Sequence, residues 1–286
     1  THYKGLMDKS GKLVTFEELE QPTNIMEFNL VNVFRPKTYK EHGKLRYNYT
    51  MFTPSLKNYL LPLEIMYRNG LPEGSSIFKR LAEGMVTLKE LGLEHYPKPG
   101  ERLTKPIFDV STKLEETDRY VTWNEARKIA GLTNDELVKV RDMLSKVNDI
   151  ISEIASGAGL ENEDGKIELA FDAKRRLMIV DAIGTLDECR FTYKGFHVSK
   201  EIARQFYRKT KWYSDVEEAK RFAETKGIKD WRTACRSQPP KLNSQLRKII
   251  REMYMAAANE LTGRRLFDAC SLKAIIKSYR DYAGAD

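Results

Sequence analysis

The sequence predicts an α+β fold, with strands gathered early and helices late. Three observations carry this. Strand-like runs gather in residues 1–70, a long capped helix stands at 134–156, and a hairpin pattern follows at 165–181.

The early segments KLVTF, MEFNLVNVF, KLRYNYTMF and LLPLEIMYR are β-prone and joined by polar connections, which suits antiparallel pairing. GLPEGSS (70–76), with two glycines, a proline and two serines, reads as a loop. IFKRLAEGMVTLKEL after it has helical spacing. Residues 95–120 hold Pro97, Pro99, Pro106 and several charges, so a long irregular stretch is expected there. Thr133 and Glu136 form a capping box; Leu137, Val140, Leu144, Val147 and Ile151 then follow the helical period until Gly157 ends it. Residues 199–226 and 242–262 are predicted as two further helices, with Pro239-Pro240 marking the boundary between them.

With 286 residues and 41% apolar content the chain can bury a real core. No apolar run approaches a membrane span and no signal-peptide pattern opens the chain, so no membrane partner is expected. Cys189, Cys235 and Cys270 stand far apart without CxxC spacing, which fits reduced thiols in a cytoplasmic protein. Net charge is +8, from 49 basic and 41 acidic residues, and the excess is spread along the chain. A small anionic substrate explains this as well as a polynucleotide, and no nucleic-acid partner is expected. The chain opens at Thr1, not methionine, and THYKGLMDKSGKLV runs directly into strand-like text, so a preceding segment is expected.

Four segments carry chemistry. In GKIELAFDAKRRLMIVD, two apolar strands flank a polar turn near Lys174, placing Glu168 roughly opposite Asp181. Asp164, Lys166 and Glu168 alternate and therefore share one strand face. Facing carboxylates repel unless a cation lies between them. The pattern therefore fits either a solvated sheet face screened by Lys166, or a divalent-cation site with a lysine beside it for a phosphate. PLEIMYRNGLPEGSS sends a strand ending in Arg68 into a loop carrying Ser75 and Ser76, a possible anion cradle, with no Walker A or GxGxxG pattern. PIFDVSTKLEETDRY offers Lys113, which alone reads as a surface lysine. TLDECRF sets Asp187 and Arg190 three apart, either as a local surface pair or as an extension of the hairpin's polar cluster.

The joint order of these segments resembles the SAICAR synthetase family of purine biosynthesis, in its longer, yeast-like form. PLEIMYRN…GSS is similar to that family's strand and phosphate loop, and PIFDVSTK to its Pro-Ile-Phe…Ser-Thr-Lys segment. Asp164-Gly165-Lys166-Ile167-Glu168 resembles its Asp-Thr-Lys-Phe-Glu strand, and Asp181 with Thr185–Phe191 its following Asp…Ser-Arg-Phe stretch. Asp230-Trp231, Pro239–Leu242 and Leu261-Thr262-Gly263 look like the helical ending of long members.

The resemblance implies the family's two-lobed fold, with the remnant of a small antiparallel β lobe at 1–66 and a larger α/β lobe with C-terminal helices at 67–286, and an ATP-dependent carbon–nitrogen ligase. Such an enzyme joins L-aspartate to carboxyaminoimidazole ribonucleotide through an acyl phosphate, with Mg²⁺. It implies Mg²⁺–ATP at Glu168 and Asp181, with Lys113 on the ATP phosphates. Arg68, Ser75, Ser76 and Arg190 would grip the ribonucleotide phosphate, while Asp164, Lys166 and Asp187 would line the reacting carboxylate. Arg204 and Arg208, one turn apart on a predicted helix, are either clamps for aspartate carboxylates or surface residues.

The family's glycine-rich N-terminal strand pair over ATP has no counterpart here, so the chain is expected to lack that lid. Ala182 stands where the family has an acid, and the 182–188 loop is altered. These departures leave two alternatives: a related carboxylate–amine ligase with another substrate, or an inactive binding subunit of the same fold. The expected protein partner is a second copy or the absent N-terminal segment.

Overall fold

The computed structural model describes residues 1–284. Its framework is a seven-stranded antiparallel sheet with one helix-covered face, and this arrangement presents the polar residues of the other face together.

The N-terminal residues form two small antiparallel sheets. β1 (Tyr3–Met7), β2 (Leu13–Val14) and β3 (Met26–Phe28) make a three-stranded sheet in the order β2-β1-β3. β4 (Lys37–Glu41) and β5 (Lys44–Asn48) form a separate hairpin. β6 (Tyr59–Leu60) and β7 (Leu63–Leu71) already belong to the large sheet, so the expected lobe division at residue 66 falls inside a strand.

α1 (Ser76–Ala82) and α2 (Leu88–Leu91) follow as two short helices rather than one continuous helix. Gly84, at φ 67, breaks the chain between them, and Thr87 with Glu90 caps the second. β8 (Glu101–Thr112) runs for 12 residues through the middle of the stretch expected to be irregular. Pro106 is tolerated because β8 is an edge strand, and the register slips between the Arg68–Ile107 and Gly70–Arg102 pairs, leaving the proline in a bulge. α3 (Trp123–Ile129) leads to α4 (Asn134–Gly157).

α4 matches its sequence pattern closely. The Thr133 hydroxyl accepts from the Glu136 N–H, and the Glu136 carboxylate accepts from the Thr133 N–H. Val140, Leu144, Val147 and Ile151 point into the core and are nearly solvent-free. Each such side chain contributes about 1.5–3 kcal/mol relative to exposure. The helix packs on β7 and on β9 (Glu161–Phe171), whose Ile167 and Leu169 join the same core.

β10 (Leu177–Val180) closes the predicted hairpin with β9. The turn runs through Asp172–Arg176, where the Asp172 side chain accepts from the Lys174 and Arg176 N–H groups. Glu168 pairs with Val180, one position short of the expected Asp181. Asp181 itself leaves the strand at φ 63, a left-handed conformation uncommon for a non-glycine residue.

β11 (Cys189–Tyr193) and β12 (Phe196–Val198) complete the sheet order β12-β11-β9-β7-β8, with β6 and β10 pairing to the far part of β9. α5 (Glu201–Arg208) and α6 (Lys211–Lys226) replace the single helix expected at 199–226. Thr210 caps α6 by accepting from the Tyr213 N–H, and this restart divides the two. α7 (Ser244–Thr262) falls where a helix was expected, between an Asn243 cap and left-handed Gly263, and packs against α8 (Leu272–Ala283) and α4.

Two glycines admit bulky polar neighbours. A Cβ on Gly165 would lie 2.3 Å from the Tyr67 hydroxyl and 2.8 Å from Cys189 Sγ. This glycine, where the resembled strand has threonine, leaves room for the buried Tyr67–Cys189 contact at 3.3 Å. A Cβ on Gly70 would lie 2.0 Å from Glu163 Oε2, an oxygen buried without a partner. The other Glu163 oxygen accepts from Thr192 at 3.1 Å, and Arg102 stands 3.8 Å away.

Burial raises the Glu163 carboxyl above its ordinary range. The folded state therefore holds the proton more tightly than the unfolded chain does. Stability should fall as pH rises from the usual carboxylate value through the raised one. Glu163→Gln is expected to raise Tm at pH 8 by about 2–4 °C, the scale of about 1 kcal/mol, and to leave it unchanged at pH 4. Equal shifts at both pH values, measured by calorimetry, would refute this account.

Candidate active site

The uncovered face of the large sheet carries a polar band across four strands. Alternation along β9 turns Asp164, Lys166 and Glu168 to this face and Gly165, Ile167 and Leu169 to the core. The register sets Arg68 of β7 against Asp164, and Arg190 of β11 against Asp164 from the other side. Met66 pairs with Lys166 on one side and with Asp109 of β8 on the other. Two charge clusters result.

The first is built around arginines. Arg190 donates to Asp164 through Nε at 2.8 Å and through Nη2, while Arg68 Nη1 reaches the same carboxylate at 3.5 Å. Arg68 Nη2 also lies 3.4 Å from Asp109, 3.2 Å from Ser76 Oγ and 3.2 Å from the Tyr120 hydroxyl. Arg80 pairs with Asp109 and stacks over the Tyr120 ring at 3.9 Å. Arg68, Asp109 and Asp164 are 3%, 6% and 7% exposed, so these charges are held almost without water. Three arginines share two carboxylates, which leaves an excess positive charge in a dry place. Arg68 Nε, Arg80 Nε and Ser75 Oγ are buried there with no partner. Buried donors normally find acceptors, so the cluster is chemically incomplete without an anion.

The loop after β7 brings Ser75 and Ser76 to this cluster. Arg208 of α5 meets it from above: a Cβ on Gly74, at φ 80, would lie 2.9 Å from the Arg208 guanidinium. Both Arg208 and Arg204 pair with Glu201, which is fully buried. Arg208 therefore lies at the serine loop. Arg204 is about half exposed, 3.5 Å from Glu201.

The second cluster is acidic with two lysines. Lys166 Nζ lies 2.8 Å from Glu64, 3.2 Å from Glu188 and 4.0 Å from Glu168. Burial opposes its charge, but the Glu64 and Glu188 carboxylates outweigh that and raise its pKa. Lys113, just beyond β8, pairs with Glu168 and lies 3.9 Å from Glu64. Glu168 is 5% exposed. Burial pushes its carboxyl up, and although Lys113 works against this, neighbouring Asp181 adds to the rise. Burial also opposes ionisation of Asp181, yet the Ala182 N–H and a hydrogen bond with Glu168 hold its carboxyl below the usual range. The two carboxylates thus meet although they are not cross-strand partners. The turn at Asp181 aims its side chain at Glu168.

Among the described residues no cluster of three or more metal-ligating side chains forms. A pair of hard oxygen ligands is, however, how Mg²⁺ is commonly held when nucleotide phosphates complete its coordination. A buried carboxylate, Glu168, beside the exposed carboxylate of Asp181 suits such an ion, whose charge would relieve the burden on Glu168.

The expected residues thus divide. Arg68, Ser75, Ser76, Asp164, Arg190 and Arg208 gather at one end of the band, and Lys113, Lys166, Glu168 and Asp181 at the other. Asp187 joins neither; its carboxylate is exposed and accepts from the Tyr254 hydroxyl of α7 at 2.8 Å. Its expected pairing with Arg190 is not formed, because Asp164 holds that guanidinium. Glu64, Asp109 and Tyr120 were missed, although Glu64 alternates with Arg68 on β7 and could have been found by period two. Tyr120 reaches the site through a chain reversal that nothing local announces.

The sequence profile described as SAICAR synthetase matches residues 3–224. The chain belongs to the SAICAR synthetase family. A protein of Archaeoglobus fulgidus with the provisional name phosphoribosylaminoimidazole-succinocarboxamide synthase is 44% identical over 281 residues, covering 98% of this chain and 80% of that one. The phosphoribosylaminoimidazole-succinocarboxamide synthase of Thermoplasma acidophilum is 31% identical, covering 74% of this chain and 71% of its own length. The SAICAR synthase of Saccharomyces cerevisiae, solved with SAICAR, aligns at TM-score 0.50 and 21% identity over 72% of this chain. That alignment spans 62% of the yeast chain and supports the mixed helix-and-sheet fold of this SAICAR synthetase family member. Among the described residues no helix is long and apolar enough to cross a membrane.

Proposed function

We propose that this chain is the ATP-dependent ligase that joins L-aspartate to carboxyaminoimidazole ribonucleotide, giving SAICAR, ADP and phosphate. The carrying observation is one sheet face with two differently equipped ends, an arginine–serine end for a phosphate monoester and a carboxylate–lysine end for a metal–nucleotide. Lys166, of the second end, stands between Asp164 and Glu168 along β9. Family membership supports the same reading.

A carboxylate is a poor acyl donor. Transfer of the γ-phosphoryl group to its oxygen makes an acyl phosphate; the aspartate amine then attacks that carbon, the amide bond forms and phosphate leaves. Arg68, Ser75, Ser76 and Arg190 hold the ribonucleotide phosphate and so fix the distance of the imidazole carboxylate from the other end. Lys166 faces the developing charge on that carboxylate, while Lys113 faces the nucleotide phosphates. Asp164 orients Arg68 and Arg190 and sets their spacing. Glu168 and Asp181 are the residues that would hold Mg²⁺, which when bound neutralises phosphate charge during transfer. Arg204, on the exposed side of α5 near Tyr254, is left for an aspartate carboxylate, with Asp187 beside it.

Phosphate release by the complete gene product tests this reading. It should require ATP, the ribonucleotide and aspartate together, and Arg190→Gln should raise the KM for the ribonucleotide while leaving that for ATP in place. Phosphate release that ignores aspartate, or an Arg190→Gln effect confined to ATP, would overturn it.

A further inference from the structure

Six buried side-chain polar atoms among the described residues have no hydrogen-bond partner. Three of them, Arg68 Nε, Arg80 Nε and Ser75 Oγ, belong to the anion pocket described above. A fourth is Nδ1 of His197. His197 lies on β12, the last strand of the sheet, opposite Thr192 of β11. The charged groups around its ring are Arg190 of β11, Glu201 and Arg208 of α5, and Glu73 of the serine loop. Of these, Arg190 and Arg208 belong to the arginine end of the polar band. Arg208 touches the loop at Gly74, one residue from the unpartnered Ser75 hydroxyl. Ser75 begins α1 without using that hydroxyl as a cap. A partnerless imidazole nitrogen and a partnerless hydroxyl thus lie on either side of Arg208.

We propose that His197 is a further substrate-binding residue, whose ring contacts the phosphate of the ribonucleotide together with Ser75, Arg190 and Arg208. The inference rests on the ligase reading of this pocket and adds to it a residue that neither the motifs nor their spacing marked. The ligand class is a phosphate monoester dianion on a ribose. Without ligand the ring is held neutral: burial lowers its pKa, and Arg190 and Arg208 reinforce that against the opposing pull of Glu201 and Glu73. A dianion arriving beside the ring reverses the local sign, so the imidazole becomes a proton acceptor from solvent and then a charged donor. His197 would therefore strengthen phosphate binding towards lower pH, within the range where the phosphate is still dianionic.

The test measures the dissociation constants of SAICAR and of its dephosphorylated riboside with the full chain, by calorimetry, for the wild type, His197→Phe and His197→Asn. Phenylalanine keeps the ring volume and removes both nitrogens; asparagine returns a polar atom near the position of Nδ1. His197→Phe is expected to weaken SAICAR binding about tenfold, the scale of one hydrogen bond to a charged group, while the riboside binds as before. His197→Asn should recover much of that loss. Equal weakening of both ligands would show a merely structural role and overturn the proposal, as would an unchanged preference for SAICAR over the riboside in His197→Phe. If the wild type binds SAICAR no better than the riboside, the pocket is not a phosphate site and the ligase reading falls together with His197. Tm values of the variants, recorded without ligand, separate misfolding from lost contacts, and His197→Asn supplies the answer if the phenylalanine variant does not fold.

Discussion

Glu168→Gln is expected to lower kcat/KM by about 10²–10³-fold, the scale seen when one fixed charge that serves the transition state is removed. The side chain is almost wholly buried, pairs with Lys113 and shares a hydrogen bond with Asp181. Glutamine keeps the shape and one carbonyl oxygen but lacks the negative charge that balances Lys113 and holds a divalent cation. The loss should fall on the nucleotide. Affinity for Mg²⁺–ATP should drop, while affinity for SAICAR stays, because Arg68 and Arg190 do not touch Glu168. Titrations with each ligand, followed by the shift in Tm, separate the two. Equal loss of both affinities, or full activity in the variant, would contradict the division of the band into two ends.

Asp164→Asn is expected to cost stability as well as activity. Asp164 answers both Arg68 and Arg190, and the remaining carboxylate, Asp109, is already shared between Arg68 and Arg80. Without Asp164, Arg68 and Arg80 keep only Asp109, and Arg190 loses the one carboxylate it pairs with. Breaking a buried pair by removing one partner costs about 3–5 kcal/mol, since the surviving charge has lost its solvent and its counterion. An exposed pair such as Arg265–Asp268 would cost far less. Inorganic phosphate should restore part of the lost Tm in Asp164→Asn and do less for the wild type, because the anion supplies the missing negative charge. An unchanged Tm, or a loss that phosphate deepens, would count against the cluster as an anion site. Measurement at two salt concentrations adds a check, since a buried pair is screened much less than an exposed one.

Much of the fold was legible because its signals are local. The Thr133–Glu136 capping box and the apolar period after it define α4 without reference to anything distant. The Asp172–Arg176 turn and its flanking apolar runs define the β9–β10 hairpin in the same way. Where the sequence reading went wrong, a distant partner decided the outcome. The prolines of 95–120 suggested irregular backbone, yet β7 offers β8 a long edge, and a bulge at Pro106 is cheaper than leaving that edge unpaired. One residue of register separates Glu168 from Asp181, and only the left-handed turn at Asp181 brings their carboxylates together.

By itself, the sequence determined which side chains share a strand face and where the long helices α4 and α7 run, because the two- and 3.6-residue periods are properties of the local backbone. It placed Asp164, Lys166 and Glu168 on one face before any neighbour was known. Only the tertiary structure decided which charge answers which. Arg190 turned from Asp187 to Asp164 because β11 pairs with β9, and Arg208 came to the serine loop because α5 packs above it. Partners such as these lie from 26 residues apart, for Arg190 and Asp164, to 134 apart, for Arg208 and Gly74, and their choice rests on strand order, register and desolvation, which no short stretch of sequence contains.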